Sequence, residues 1–459
     1  MKKLLLSATV VAGLFAAPTI ESLQKQINEL QQQLKELKAK QDSQNDRYYK
    51  KVAPIVSNDH VFWRADLRTS IDFINYKMTD GSKKHNNIIA NRFQLTGVAK
   101  PADNLKFNFI IQANNLYGMN NTQQNAPYTN ISWVVNETPD DTNIRVKEAY
   151  FNYWFGENNE YMFSAGRRPA TYGFPANLRD NERAESPLAH LINMEFDGFS
   201  LQFTNDAMPE SLQDYGTWIK FCAGRGFSSA KGFGNIAAYS RENALKNTDF
   251  AGFIIVPYDN GQYALWTETV FAKNMKGFAT PADAANGKMS DLGDYFGFNA
   301  VFKADGVGDG ISDFLDDTKA FISFALSKTK PDSGKTMLGS ADNETGHSIW
   351  IGADMPAGED GDRFGFNFVK GSKYWRNMTY GEDTLVGSIA AVRGKAYEIY
   401  YHHNIQENLT AGLRATYIKY DYTGSNGFFG LSGMPQDIDD AANDVKEVSD
   451  IRAYIRYNF

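Results

Sequence analysis

The sequence predicts an all-β fold: a transmembrane antiparallel β-barrel of about 16 strands, preceded by a short N-terminal coiled-coil helix. Three observations carry this reading. From Val61 onward apolar and polar residues alternate, the period-two spacing that gives a strand two unlike faces. The last residues show it most clearly. Ile451, Ala453, Ile455, Tyr457 and Phe459 share one face, and Asp450, Arg452, Tyr454, Arg456 and Asn458 share the other. The connections between alternating runs are themselves alternately short and long, as expected for a barrel with tight periplasmic turns and long outer loops.

Composition narrows the class further. A mean hydropathy of −0.46 is too polar for a helical membrane protein, whose spans each need roughly 20 mostly apolar residues. A barrel tolerates it, because only alternate residues meet lipid, and its aromatic girdles account for the 32 Phe and 24 Tyr. The single cysteine, Cys222, excludes an intramolecular disulfide and the usual ligand sets of c-type haem and iron–sulfur centres. A net charge of −7 argues against a nucleic-acid partner.

In chain order, residues 1–16 are expected to be a signal peptide. Lys2 and Lys3 precede an apolar stretch, Leu4 to Ala16, too short to span a membrane and followed by small residues. Its removal takes away two lysines and no acid. Residues 17–44 form the expected periplasmic coiled coil. Ile20, Leu23, Ile27, Leu30, Leu34 and Leu37 fall at heptad a and d positions. The alternative is an amphipathic helix packed on the same chain. The narrow a/d stripe favours self-association, hence an expected homotrimer. Residues 45–60, polar and containing Pro54, read as a linker, and 61–459 as the barrel.

Within the barrel, Trp63, Ala65, Leu67, Thr69, Ile71 and Phe73 alternate with Arg64, Asp66, Arg68, Ser70 and Asp72. Comparable runs begin at Arg92, Leu105 and Leu409. With Val61 on the periplasmic side, tight turns at 100–104, 156–159, 259–262 and 406–408 follow even-numbered strands. Long loops at 117–142, 169–196, 225–249, 273–293, 329–345, 372–394 and 422–447 follow odd ones. The sixth, eighth, twelfth and thirteenth strands are weakly patterned, which sets a range of roughly 14 to 18.

Two charged sets are candidate functional residues. In a closed barrel the first and last strands pair. Arg64 and Arg68 then lie near Arg456 and Arg452, flanked by Arg92 and Arg414 and interrupted by Asp66, Asp72 and Asp450. A cationic wall of this kind favours anions in a pore. The alternative is mutual neutralisation of Arg and Asp in a wet lumen. The second set is a candidate constriction in the third outer loop, where Pro169 and Pro175 end the strand and stiffen the bend. Arg167, Arg168, Arg179 and Arg183 face Asp180, Glu182 and Glu185 there, unless the loop is simply exposed and salt-bridged. Ile455, Tyr457 and Phe459 resemble the C-terminal signal read by the barrel-assembly machinery of Gram-negative bacteria.

The signal peptide, the short coiled coil, the octapeptide Val146-Lys147-Glu148-Ala149-Tyr150-Phe151-Asn152-Tyr153 and Ala165-Gly166-Arg167-Arg168-Pro169 resemble a porin-like bacterial outer-membrane family known as domain of unknown function 3373. The resemblance implies a barrel in the outer membrane. It supplies neither substrate nor functional residues.

Other signals point to less. Asp305, Asp309 and Asp316 outline a calcium-loop spacing, but Val307 stands at the third position and an Asp replaces the bidentate Glu, so a solvated turn and no cofactor are expected. His402 and His403 are adjacent on a strand and point to opposite faces, against joint chelation. The functional expectation is a non-enzymatic porin that passes small hydrophilic solutes or ions, surrounded by outer-membrane lipid. A structural or adhesive barrel with partner-binding loops is the alternative. An outer-membrane lipid hydrolase, which would need an outward Ser/His pair, ranks below both.

Overall fold

A computed structural model describes residues 61–117, 144–185, 187–230, 245–308, 310–358, 361–380 and 382–459. The expected signal peptide, coiled coil and linker lie outside the described residues.

Sixteen strands close into one antiparallel barrel in chain order. They are β1 (Val61–Met78), β2 (Lys83–Ala102), β3 (Leu105–Leu116), β4 (Arg145–Phe155), β5 (Tyr161–Arg168), β6 (Phe196–Phe203), β7 (Trp218–Phe227) and β8 (Thr248–Asp259). β9 (Tyr263–Gly277), β10 (Ser290–Asp305), β11 (Lys319–Pro331), β12 (Thr345–Pro356), β13 (Arg363–Gly371), β14 (Gly394–Gln406), β15 (Leu409–Tyr420) and β16 (Val445–Asn458) complete the ring. β1 and β16 form the closing seam, with Arg68 opposite Arg456 and Asp72 opposite Arg452. The Ala65 and Phe459 backbones exchange two hydrogen bonds of 3.1 Å at its end. Closure leaves no unpaired sheet edge, the condition for a β-structure in lipid.

The four tight turns fall where the sequence pattern put them, and the weakly patterned sixth, eighth, twelfth and thirteenth strands are all present. Three connections depart from strict alternation in length. The β1–β2 turn at the outer-loop end spans only residues 79–82, because Asp80 accepts the Ser82 N–H at 2.8 Å and closes it locally. At the other end, 204–217 and 306–318 are long and hold the short helices α1 (Glu210–Gln213) and α2 (Asp313–Asp316). Pro209 begins the first, and Ser312 caps the second by accepting the Leu315 N–H.

The outward face is apolar. Phe107, Phe163, Phe221, Phe302, Phe366, Ile399, Leu413 and Ile451 are all exposed on it. On one side of the barrel the inward face is covered instead. The loops 169–195, 372–393 and 421–444 turn into the barrel and pack as two apolar clusters. In one, Leu191, Ile192, Trp375, Met378 and Phe429 meet Val270 and Tyr295 of the wall. In the other, Leu188, Val386 and Ile389 meet Trp350, Val369 and Ile418. Each fully buried large side chain is worth about 1.5–3 kcal/mol, so together the loops are held as a plug.

Polar contacts fix the plug's register. Met378 N–H donates to Leu191 O at 2.9 Å, and Asn193 N–H to Met378 O at 2.8 Å. Arg376 and Arg393 are buried and donate to loop carbonyls. Arg376 reaches Ser425 O at 2.7 Å, and Arg393 reaches Gly433 O at 2.7 Å and Thr423 O at 3.0 Å. A guanidinium's several fixed donors suit it to satisfying carbonyls from two segments at once.

The barrel interior as candidate functional site

Period two delivers Asp66, Arg68, Ser70 and Asp72 of β1 to the interior, and Asp450, Arg452 and Arg456 of β16 beside them. Arg68 and Arg456 lie directly opposite, a like-charge pair that costs stability unless anions intervene. Loop carboxylates intervene. Asp383, from loop 372–393, accepts from Arg452 at 3.0 Å, pairs with Arg68, and lies 3.6 Å from Arg92 of β2. Glu182, from loop 169–195, pairs with Arg456 and lies 3.6 Å from Arg92 and 3.9 Å from Arg64. Wall carboxylates complete the set. Asp66 accepts from Arg456 at 2.5 Å and Asp72 from Arg452 at 2.6 Å. Each of the two loop carboxylates therefore touches β1, β2 and β16.

The network extends along β14 and β15. Arg179 pairs with Glu382 at 2.5 Å and approaches Glu398 at 3.8 Å. Arg414 lies 3.7 Å from Asp180 and 3.8 Å from Glu398. Arg68, Arg92, Arg179, Arg414, Arg452 and Arg456 are all buried, whereas Arg64 is exposed. Burial alone would raise the loop carboxyls' pKa values. For Asp180 the attraction of Arg414 and Arg179 outweighs it and holds the group at about 2. For Asp383, Arg68, Arg452 and Arg92 hold it well below the ordinary range.

The candidate constriction residues divide. Arg179 and Asp180 sit on the 3-10 turn Leu178–Asp180 inside the barrel, with Glu182 beyond it. Arg183 is exposed and Glu185 half-buried. Arg168 faces inward over the Tyr150 ring at 5.2 Å. Arg167 corrects the expectation. Its neighbour on the strand faces in, so Arg167 faces out, opposite Asp197 at 3.7 Å. Glu382, Asp383 and Glu398 were missed by the sequence pattern. Glu398 lies on β14 in phase with Tyr400 and His402, so alternation could have placed it; nothing in alternation says that the loop carboxylates Glu382 and Asp383 will meet the wall.

The interior is not equally filled. Inward residues of β10–β16 are nearly all buried, whereas Thr96, Lys106, Tyr150, Asn152 and Gln202 on β2–β6 are only half-buried. Opposite them lie Arg183 and Glu185 of loop 169–195. Lys106, Arg183 and Lys220 all act on the Glu185 carboxyl, and Arg168 adds a fourth cation to the same region. Burial raises the Glu185 pKa above the usual glutamate value despite these cations.

The remaining candidates are occupied locally. Asp305 lies 3.5 Å from Lys319, Asp316 ends α2, and Asp309 lies outside the described residues. Among the described residues no group of three His, Cys, Asp or Glu side chains is placed to hold a metal. His402 points inward to the Tyr454 hydroxyl at 2.8 Å, while His403 on the other face meets Asp362 at 3.0 Å. His190 is wedged between Ser323 Oγ at 2.8 Å and Ser348 Oγ at 2.9 Å with no exposure, which makes it a pin for the plug. Burial lowers its pKa to about 3, so it stays neutral. Ile455, Tyr457 and Phe459 are exposed on the outward face.

These features define a 16-stranded antiparallel barrel with an apolar outer surface and a polar interior partly filled by its own loops. The chain belongs to the family described as Protein of unknown function (DUF3373), whose profile matches residues 82–459. No curated protein sequence matches significantly. Among solved structures, an anion-selective porin from Comamonas acidovorans is similar at 14% identity and a TM-score of 0.47, covering 87% of this chain and 99% of its own. Pseudomonas putida OprB is similar at 11% identity and a TM-score of 0.48, covering 87% of this chain and 94% of its own. OmpT, an outer membrane protein of Vibrio cholerae, is similar at 12% identity and a TM-score of 0.46, covering 89% and 100% respectively.

Proposed function

We propose that the protein is a non-enzymatic outer-membrane porin that passes small hydrophilic solutes by diffusion along the β2–β6 side of its interior. The observation that carries this reading is the unequal filling of the barrel. Its wall on that side keeps half-buried residues such as Thr96, Lys106, Tyr150, Asn152 and Gln202 between buried ones such as Arg92, Asn108 and Ser164, whereas the other side is packed shut. The apolar outer face supports residence in lipid. Lys106, Arg168 and Arg183 outnumber Glu148 and Glu185 along this path, which favours anions. The buried seam arginines are each matched by carboxylates and contribute little to selectivity. In this reading the protein is exported by its signal peptide. Barrel-assembly machinery recognises the strand bearing Ile455, Tyr457 and Phe459, and residues 17–44 join three copies. No metal or other cofactor takes part.

Planar-bilayer recording tests the reading. Purified folded protein is expected to give stepwise currents of low conductance, with anions preferred. Lys106→Gln with Arg183→Gln should weaken that preference, and Arg452→Ala should leave it unchanged. Absence of stepwise current would sink the porin reading. A second reading, a structural or adhesive barrel whose outer loops bind a partner, draws on the two apolar clusters that fill the interior. It predicts that silent outcome.

A further inference from the structure

The outward face carries a row of charge near the outer-loop end, and its composition differs between two parts of the wall. Across β5–β9 the signs alternate in register. Arg167 stands opposite Asp197, Asp197 opposite Arg225, Arg225 opposite Asp249, and Asp249 opposite Lys273. Arg225 and Asp249 meet at 2.7 Å, and each acid of this row stands between two of its three cations.

Across β13–β15 the row is entirely lysine. Lys370 stands opposite Lys395, and Lys395 opposite Lys419. All three are exposed on the outward face. Like charges directly opposite weaken a sheet, so the arrangement needs an anion to offset it. The chain provides one at a single end of the row, where Glu447 stands opposite Lys419. Lys370 and Lys395 form no ion pair among the described residues. The two acids that act on Lys419 are shared with other lysines: Glu447 with Lys77 at 3.1 Å, and Asp439 with Lys446 at 2.5 Å, which leaves Lys370 and Lys395 unmatched by them.

What lies beneath the lysines identifies the kind of anion. Two residues further along each strand, Phe368 stands opposite Tyr397 and Tyr397 opposite Tyr417. Their ring centroids are 5.2 Å and 6.3 Å apart. Below these come Phe366, Ile399 and Ala415 in register, continuing the apolar surface. Aromatic rings gather at the level of lipid headgroups, with acyl chains against the aliphatic band beyond. Strand spacing sets the first and third lysines about 10 Å apart, a reach suited to a headgroup with more than one phosphate. Lysine ammonium groups on flexible stems bind phosphate as mobile point charges.

We propose that Lys370, Lys395 and Lys419 bind the phosphate-bearing headgroup of an outer-leaflet lipid, whose acyl chains lie over Phe368, Tyr397, Tyr417 and the residues beneath. The site rests on the outer-membrane reading. It does not depend on whether the interior conducts. A soluble acidic partner would have no use for the continuous apolar surface directly below the lysines.

The test uses the full-length folded protein reconstituted in phosphatidylcholine nanodiscs, with fluorescent bis-phosphorylated lipid A as the probe. The wild type is expected to bind saturably. At roughly fivefold per lysine near an anionic surface, Lys370→Gln, Lys395→Gln and Lys419→Gln together should weaken binding about 100-fold. Substituting the same three by Arg should retain it, and Arg225→Gln with Lys273→Gln on the alternating row should have no effect. Dephosphorylated lipid A should bind as weakly as the triple Gln variant sees the intact probe. Competition by millimolar inorganic phosphate alone would reassign the site to free phosphate. Equal binding by wild type and triple Gln variant would overturn it, as would indifference to the lipid's phosphates. Failure of the folded protein to enter bilayers at all would instead overturn the outer-membrane reading. Heat-modifiable gel migration verifies that each variant is folded.

Discussion

Glu185 shows how one side chain sets the charge of the proposed path. Its carboxyl faces Lys106, Arg183 and Lys220 from loop 169–195, yet burial wins and raises its pKa. The sign follows directly. A raised carboxyl takes up its proton at a higher pH than an ordinary glutamate, near 4.3. Mild acidification therefore removes a negative charge from the path before a glutamate of ordinary pKa responds, and leaves its cations less opposed. Anion preference is expected to rise as pH is lowered from 7 toward 5, and Glu185→Gln should show the higher preference at both values. Reversal potentials under a salt gradient measure it. A wild type with no pH dependence over that range would remove Glu185 from the path. Arg452 stands at the opposite extreme. Bound to Asp72 at 2.6 Å and Asp383 at 3.0 Å, it has no charge left to offer a solute.

The strands and the loops were unequally legible. Each strand is a local object, and its faces follow from period two, so Asp66, Arg68, Arg92, Arg414, Arg452 and Arg456 could be placed inward from the sequence. Arg167 was misjudged because it was grouped with its neighbour Arg168 as a dipeptide, although adjacent strand residues take opposite faces. The plug was not legible. Trp375, Met378, Phe428 and Phe429 carry no periodicity, and a long loop reads as exposed until its apolar residues are seen against the wall. Glu182 stood among the constriction candidates, but its pairing with Arg456, 274 residues away, was not legible, nor was that of Asp383 with Arg452, 69 residues away. Trp375 tests the plug as an element. It is fully buried and donates to Ala390 O at 2.7 Å. Trp375→Ala should destabilise the plug by about 3–5 kcal/mol. Loop 372–393 should then become open to limited proteolysis, while the barrel's β-sheet circular dichroism persists. Continued protease resistance would show that the loop is held without its anchor.

Closure of the whole molecule depends on one seam, and the seam's polar face brings Arg68 against Arg456. Backbone ladders alone would pair β1 with β16 at the cost of that repulsion. Asp383 and Glu182 convert the repulsion into attraction by reaching from two different loops across β1, β2 and β16. The plug therefore stabilises the barrel as much as the barrel holds the plug. Removing one partner from such a buried set leaves uncompensated charge and costs about 3–5 kcal/mol. Asp383→Asn is expected to lower the temperature at which the compact band on a gel converts to the unfolded one. Because the groups are buried, added salt should not mimic the effect. The pH dependence has a definite sign. The folded-state pKa values of Asp180 and Asp383 are depressed, so their contribution is complete above the unfolded value near 3.9. It is lost as pH falls toward the folded values, about 2 for Asp180. The conversion temperature of the wild type should hold from pH 7 to 5 and drop steeply between about pH 4 and 2. Asp383→Asn should start lower and drop less over the same interval. If wild type and variant fell in parallel, the seam would be closed by its backbone and aromatic contacts, with the loop carboxylates as bystanders.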